Sequence, residues 1–479
     1  MLMKKTVFIS ADHGLAIVYF LQSAIISTLL DAGVLVVLLT DDALKDKINE
    51  RFGREGLVID GLRFDAARKY ERTYRPGLQW WLAFLRRAGA SNRINLEAVD
   101  SYIAQVEDEA HPRRKRLFPV MHVFVWFLRR LRILREWLVR YQQRHFTPDF
   151  YVDLFDHYRP DMVIASTPGW RYDRYILRAA AAQGIKTAAV IVGWDNSSSY
   201  SLPGGHVDHI TCWSEQQKQE LIHGSDWQPE QVHIGGIPSY DGYFNSEWVM
   251  PKHEYFKLHG LDPQRKLIAY ASSFITFSPN LQNVEALAEL VSGDDLVEPS
   301  QLLVRLHPNH FMDVERFAEE REAVRQLVRE NPHVHLVEPV ALGGELGHYS
   351  GEDMPEKSSF MAYSDVFVTV YSTMVVEASA HGRPVVSAVL DSPAGWPGKF
   401  TLPLSRIGGW PTHKRFIDSG AGRVAHDKAE LAQALNYYLA HPDAETDQRR
   451  AFIARECTHT DGSAGKRTGD YLLRLLETA

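Results

Sequence analysis

Ser372, Thr373 and Glu377 form the most specific chemical pattern in this sequence. They stand in FVTVYSTMVVEASAHGRPVV, residues 367–386, where a β-branched run ends in two hydroxyl side chains and continues as a helix-forming segment. That order predicts a strand–turn–helix unit. The turn offers backbone N–H groups and two hydroxyls at a helix N-terminus, where an anionic phosphate is favoured by unpaired donors and by the helix dipole. Glu377, one turn into the helix, is on the face that could meet a ribose. An ordinary βαβ unit with a capped helix has the same local pattern.

Other reactive side chains also follow apolar runs. Residues 6–10 predict a strand, and SADHGLA, residues 10–16, is the turn after it, carrying Asp12 and His13. A helix over 17–31, Gly33 and a strand over 34–40 complete a βαβ unit, the building block of a doubly wound parallel sheet. Ligands bind such sheets at the carboxyl ends of strands, which puts Asp12 and His13 where chemistry is expected. A helix N-cap would use Asp12 in the same position, and His13 would suit a surface loop. After a helical interruption over 64–144 the alternation resumes at Pro148. A strand over 161–166 runs into the turn 167–170. Another, over 186–192, runs into Gly193-Trp194-Asp195-Asn196-Ser197-Ser198, a polar loop whose tryptophan is expected to be exposed.

The first sheet domain is expected to span 1–240, with a connection over 241–264. A second, over 265–479, has strands beginning near 266, 301, 333, 367 and 385. It also has a Gly- and acid-rich loop over 343–357, a short helix over 360–364 and a helical tail from Lys428. The fold class is therefore α/β, with two Rossmann-like doubly wound domains and a helical insertion in the N-terminal one.

The 479 residues carry 53 basic and 60 acidic side chains, a net charge of −7, which argues against a general nucleic-acid binder. Cys212 and Cys457, the only cysteines, point to a reducing compartment and away from a Cys-rich zinc site. No secretory signal is evident. The uncharged stretch 15–30 falls short of the roughly 20 apolar residues of a membrane span. Within the insertion, residues 111–144 hold ten Lys or Arg against Glu136 alone. Leu117, Phe124, Trp126, Phe127, Ile133 and Trp137 lie among them. A basic helix of this composition suits a membrane surface, through 113–135, or an anionic lipid-linked acceptor. A core helix with its arginines paired elsewhere would read similarly. The aromatics fall in one apolar block rather than along a strand-binding groove, so no nucleic-acid partner is expected.

Two doubly wound domains followed by C-terminal helices resemble the GT-B fold of glycosyltransferases. KLIAYASS (266–273), LLVRLHPN (302–309) and SDVFVTVYSTMVVEASAHGRPVV (364–386) occur in the order used by donor-binding domains of that superfamily. The Arg-x-His-Pro element is similar to capsule-type and Kdo transferases and to CDP-glycerol glycerophosphotransferases. The Ser-Thr, Glu and Gly-x-Pro-Val pattern is shared more widely, including by UDP-GlcNAc 2-epimerases. The resemblance is motif-specific from about 266 to 390, and the insertion fits none of these families closely.

The resemblance implies a nucleotide diphosphate pocket. Negative charge develops on that leaving group and must be met by donors held in place beforehand. Ser272 and Ser273 would serve one phosphate and Ser372 and Thr373 the other. Arg305 and His307 would supply positive charge or hydrogen bonds, and Glu377 would bind the ribose. For the acceptor, Asp12 is the first choice as base, followed by His13 and Asp195. Trp194 and Asn196 are candidate sugar or acceptor contacts. No Asp-x-Asp, HExxH, cysteine pair, EF-hand or Walker A sequence is present, so neither metal nor cofactor is expected beyond the nucleotide-sugar substrate.

The activity expected is metal-independent transfer of a sugar to a glycan or lipid-linked acceptor in bacterial surface polysaccharide synthesis. The protein is expected to be cytoplasmic and able to lie at the inner membrane face. The alternatives are a CDP-glycerol or ribitol-type phosphotransferase, a nucleotide-sugar 2-epimerase, which would not need the basic aromatic helix, and a nucleotide-sugar-binding protein without catalysis.

Overall fold

The structure, a computed structural model, describes residues 5–273, 275–293, 295–347 and 351–478. The chain forms two compact units. Unit 1 comprises Met1–Asp241, Leu342–Leu346 and Cys457–Ala479; unit 2 comprises Gly242–Ala341 and Gly347–Glu456. The segment expected as a connection is largely helical (Asp241–Phe244, Lys252–His259) and counts with unit 2 from Gly242 onward, whereas the end of the chain counts with unit 1.

Unit 1 is built on seven parallel strands in the order β3-β2-β1-β4-β5-β6-β7. They are β1 Thr6–Ser10, β2 Leu35–Thr40, β3 Leu57–Gly61, β4 Met162–Ala165, β5 Lys186–Val190, β6 His209–Cys212 and β7 Val232–Ile234. Helices cover both faces of a parallel sheet, so its central strands are continuous apolar runs. Alternate side chains serve opposite cores. Val7, Ile9, Val36 and Leu38 pack with Phe20, Ile25, Leu472 and Leu476. Phe8, Val37, Leu39 and Val163 pack with Phe155, Tyr175 and Ile176.

The helix expected over 17–31 is two helices, Gly14–Leu21 and Ala24–Asp31, bent by 48°. Ser23 causes the break. Its Oγ donates to the Tyr19 carbonyl (2.6 Å) and accepts from the Ile25 N–H (3.3 Å), closing one helix and capping the next. Among the described residues no single helix is long and apolar enough to cross a membrane. The terminal helix Ala464–Glu477 packs on Ala24–Asp31 through Gly465 and Gly469. A Cβ on either would come within 2.7 Å of the facing helix.

Between β3 and β4 the insertion contributes helices Phe64–Thr73, Pro76–Ala88, Glu97–Glu109, Pro112–Lys115, Phe118–Arg130 and Arg132–His145. They bury small cores of their own around Phe84, Val99, Phe118 and Val125, and around Leu82, Leu128, Leu138 and Phe146. Arg135 joins Arg132–His145 to the end of helix Glu215–Ser225. Its guanidinium grips Asp226 bidentately (2.6 and 2.8 Å) and is 5% exposed.

Unit 2 has six parallel strands in the order β10-β9-β8-β11-β12-β13. They are β8 Lys266–Ala271, β9 Ser300–Arg305, β10 Val334–Val337, β11 Val366–Thr369, β12 Val385–Ala388 and β13 Arg423–Ala425. The loop expected over 343–357 is shorter than anticipated, because helix Met354–Ala362 begins inside it, with Pro355 in its first turn. That helix also absorbs most of the short one expected over 360–364. Residues 348–350 of the expected loop lie outside the described residues.

Removing one partner of a buried ion pair strands the other charge. Arg135→Ala should therefore destabilise unit 1 by about 3–5 kcal/mol, read as a lower urea midpoint for a tryptophan-fluorescence transition. An unchanged midpoint would show that the pair contributes nothing.

Candidate functional site

In unit 1, β1 and β4 are neighbours although β2, β3 and the insertion separate them in the chain, so their C-terminal ends flank the switch point of the sheet. Asp12 and His13 leave β1 there, and Ser166 and Thr167 leave β4. Asp12 is fully buried. Ser166 Oγ donates to its Oδ1 (3.1 Å), the Asp173 N–H to its Oδ2 (3.2 Å), and His13 Nδ1 lies 2.7 Å from Oδ1. Arg171 Nε is 3.7 Å away. Burial alone would raise the Asp12 pKa, but His13, Arg171 and the Asp173 N–H together hold it down at about 2.

A carboxylate held this strongly in its charged form is a poor proton acceptor. His13 Nδ1 faces Asp12, which leaves Nε2 outside that contact, and the His13 side chain is 13% exposed against none for Asp12. His13 is thus the more accessible of the two side chains, and Asp12 fixes its ring.

The sequence reading missed Asp173. It lies two residues beyond Arg171 and is fully buried. It accepts from the Thr167 N–H and Oγ1 through Oδ2 (2.8 and 2.7 Å) and from the Arg171 N–H through Oδ1 (3.3 Å). Burial and then the Asp12 charge push its pKa up to about 8, so it retains a proton at neutral pH. Its proximity to the turn 167–170 was the available signal; its closeness to Asp12 had none.

Asp195, beyond β5, has separate partners. Ser199 Oγ donates to its Oδ2 (2.9 Å), Asn196 Nδ2 lies 3.4 Å from Oδ1, and burial raises its pKa. Among the described residues no hydrogen bond or ion pair joins it to Asp12 or His13. Trp194 is 1% exposed rather than displayed. Gln217 on helix Glu215–Ser225 donates to the carbonyls of Gly193 and Trp194 (3.1 and 3.0 Å) and draws the loop inward, so the ring is not available to stack on a sugar. Asn196 is half-buried against Gly193, whose missing Cβ would sit 2.7 Å from the Asn196 amide.

In unit 2 the switch point lies between β8 and β11. Ser272 follows β8. Its Oγ donates to the Arg305 carbonyl (3.1 Å) and accepts from the His307 N–H (2.7 Å), joining the ends of β8 and β9. The Ser273 N–H donates to Asn280 Oδ1 (3.0 Å), and both serines are buried. Arg305 was expected to supply positive charge or hydrogen bonds. Instead it is buried and ion-paired with Asp353 and Glu356 at the start of helix Met354–Ala362, which neutralises it inside the unit. His307 has its pKa pushed down to about 3 by burial, with His310 and Lys357 adding to the effect. Its Nδ1 accepts from the Asn309 N–H (3.1 Å), so the ring proton is on Nε2 and the ring carries no positive charge.

Glu377 is 4% exposed. Tyr243 OH (2.8 Å) and Lys357 Nζ (2.6 Å) converge on its Oε2, leaving Oε1 outside both contacts. Lys357 and Tyr243 escaped the sequence reading, Lys357 because its segment was taken as loop. Arg305 and Lys357 stand against Asp353, Glu356 and Glu377, so this group of charges is negative by one. A diphosphate would therefore rely first on neutral donors. Ser372 and Thr373 are both half-buried ahead of helix Met374–Ala380, and Ser372 Oγ accepts from the Met374 N–H (3.3 Å), which leaves its own proton to donate. Tyr371, just before them, has φ +36°, a strained conformation for an aromatic residue of the kind that gathers at functional sites.

Asp173 makes a pH prediction. Its folded pKa of about 8 lies above the ordinary 3.8, so its stabilising effect is complete below about pH 4 and lost as pH rises to about 8. Asp12 acts oppositely, its contribution being present above about pH 4 and lost as pH falls toward 2. Asp173→Asn should flatten the decline in the urea midpoint of unit 1 between pH 4 and 8. An unchanged slope would contradict the buried, protonated assignment.

No protein-family model matches the sequence, and no curated protein is similar to it in sequence. Solved structures match it along nearly its whole length. UDP-GlcNAc 2-epimerase from Neisseria meningitidis bound to UDP-GlcNAc superposes with a TM-score of 0.55 at 11% identity, covering 98% of this chain and 100% of that one. MnaA of S. aureus with UDP gives 0.54 at 12% identity, over 99% and 98%. A glycosyltransferase from Rickettsia africae ESF-5 gives 0.50 at 11% identity, over 99% of both chains. At these identities the likeness is one of fold. The chain has the two-domain α/β GT-B fold that glycosyltransferases and UDP-GlcNAc 2-epimerases share.

Proposed function

We propose that this chain transfers a sugar from a nucleotide-activated donor, without a metal ion, to a lipid-linked or glycan acceptor at a membrane surface. The observation that carries this reading is the outer face of helices Phe118–Arg130 and Arg132–His145. Val123, Phe124, Trp126, Ile133 and Trp137 are all at least 50% exposed there. Arg113, Lys115, Arg116, Arg130 and Arg132 are exposed on the same stretch. A face of aromatic and aliphatic side chains among cations suits the headgroup layer of an anionic bilayer. Arg129 and Arg135, grouped with these cations by sequence alone, pair with Asp100 and Asp226, and Arg132 pairs with Glu136 at the surface.

Unit 2 would take the nucleotide. Glu377 Oε1 would accept from the ribose, and Ser372, Thr373 and His307 Nε2–H would donate to the diphosphate. Lys357 would stay paired with Glu377 Oε2 and hold that carboxylate in place for the ribose. In unit 1, His13 would take the proton of the acceptor hydroxyl, held in register by Asp12. UDP is the nucleotide of first choice, since similar folds are known with UDP and UDP-GlcNAc bound. A UDP-GlcNAc 2-epimerase is the second reading, favoured by the fold shared with the Neisseria enzyme. Such an enzyme, working on a soluble nucleotide sugar, has no use for the exposed apolar face.

Three measurements separate these readings. UDP, GDP, CMP and CDP are compared by thermal shift, where a ligand at a hundredfold excess over its Kd adds about 2.7 kcal/mol. UDP should stabilise the protein, and silence from every nucleotide would remove the donor assignment. UDP-GlcNAc incubated without acceptor should keep its C2 configuration, since epimer formation would establish the second reading. Combined Trp126→Ala, Trp137→Ala, Arg130→Glu and Arg132→Glu should abolish sedimentation with phosphatidylglycerol vesicles and leave the UDP shift intact. In transfer assays, His13→Ala should lower kcat on the order of 10²–10⁴-fold, and EDTA should have no effect.

A further inference from the structure

A cavity of about 310 Å³ lies within unit 1, at the lower end of the range for small-molecule pockets. Arg72, Arg86, Arg114, Arg174 and Arg178 line it, with Glu71 as the only carboxylate among the lining residues. None of the residues assigned above to donor or base takes part, and of the 113–135 stretch only Arg114 does.

Glu71 is already engaged, pairing with Arg174 and accepting from Tyr175 OH (2.9 Å). Arg86 and Arg178 are 5% and 3% exposed, and neither forms an ion pair among the described residues. Arg86 donates to the carbonyls of Leu202 and Trp170 (3.3 Å each), and its buried Nε has no partner. Arg178 donates to the carbonyls of Gly204 and Phe146 (2.7 and 3.1 Å) and to Gln142 Oε1 (3.2 Å). Neutral oxygens satisfy these guanidinium hydrogens without cancelling their charge. Burial, and then the charge of Arg174, lowers both pKa values to about 9, which still leaves them charged at neutral pH. A role as staples between loops explains the carbonyl contacts. It does not explain why five cations surround an open space.

We propose that this cavity binds a phosphate group, as a monoester or diphosphate, with the anion held deep between Arg86 and Arg178. Exposed Arg72 and Pro76 mark the solvent end of the lining, and the buried arginines mark the inner end. The walls also carry Trp80, Leu82 and Phe146, and the Arg114 guanidinium lies 4.3 Å over the Trp80 ring. This pairing of charge with apolar surface accommodates a short hydrocarbon or aromatic substituent beside the phosphate. A planar guanidinium carries five N–H groups, so after these contacts three on Arg86 and two on Arg178 remain for a phosphate.

The test is calorimetric titration of the full chain with inorganic phosphate, pyrophosphate and hexyl phosphate, against sodium chloride of equal ionic strength. At least one phosphate should bind saturably. Arg178→Gln and Arg114→Ala should each weaken it at least tenfold while leaving the UDP thermal shift unchanged. Arg114 is only half-buried, so its variant keeps the test available if Arg178→Gln fails to fold. Hexyl phosphate binding tenfold tighter than inorganic phosphate would support a lipid headgroup as the source, and equal affinities a soluble phosphate. Absence of saturable binding by all three probes, or binding indifferent to Arg114→Ala, would overturn the proposal.

Discussion

Taking a carboxylate out of water costs several kcal/mol unless its charge is met inside the protein. At the end of β1 that cost falls on Asp12, which has no exposure at all. Its compensation fixes the surroundings. Ser166 must follow β4 at the right height, the chain must turn at 167–172 to bring the Asp173 N–H inward, and His13 must present Nδ1. The same charge keeps Asp173 protonated, because two carboxylates this deep cannot both ionise cheaply. One buried charge thus helps set the orientation of a histidine ring, the protonation of a second carboxyl group and the alignment of two strand ends.

Unit 2 solves a comparable problem with closed pairs. Arg305 ties the end of β9 to helix Met354–Ala362 through two carboxylates, and Lys357, on the same helix, ties it to Glu377 on Met374–Ala380. Side chains that look like ligand contacts in the sequence are therefore holding helices in place. A ligand gains from them only by exchange, replacing one internal partner with its own oxygen. Exchange costs less than exposing a bare charge, and it makes recognition of one part of a ligand felt at another.

The parallel sheets were legible because their central strands are apolar runs followed by small or polar residues, and Asp12, His13, Ser272 and Ser372 do leave strand ends as such runs predict. What could not be read was the choice of partner. Asp353 and Glu356 are 48 and 51 residues from Arg305, and Asp173 is 161 residues from Asp12. No local periodicity records such pairings. Trp194 failed for a related reason, since a polar loop predicts exposure until Gln217 draws it in. Ser23 shows the converse: it sits in an apolar stretch that reads as one helix, and a single hydroxyl breaks it. In the insertion the composition was plain, but which arginines face solvent, which pair and which enclose space required three dimensions.

The return of the last helix to unit 1 has a bearing on biosynthesis. Leu472, Leu475 and Leu476 share a core with Val7, Ile9 and Val36, yet they are synthesised only after unit 2. At about 5–20 residues per second, the N-terminal sheet waits on the order of ten to forty seconds for its cover while unit 2 is synthesised. During that interval one face of a seven-stranded sheet is missing part of its apolar covering. Unit 1 would complete its core only once the helix Ala464–Glu477 has emerged, an interval in which a holdase chaperone has a defined surface to shield.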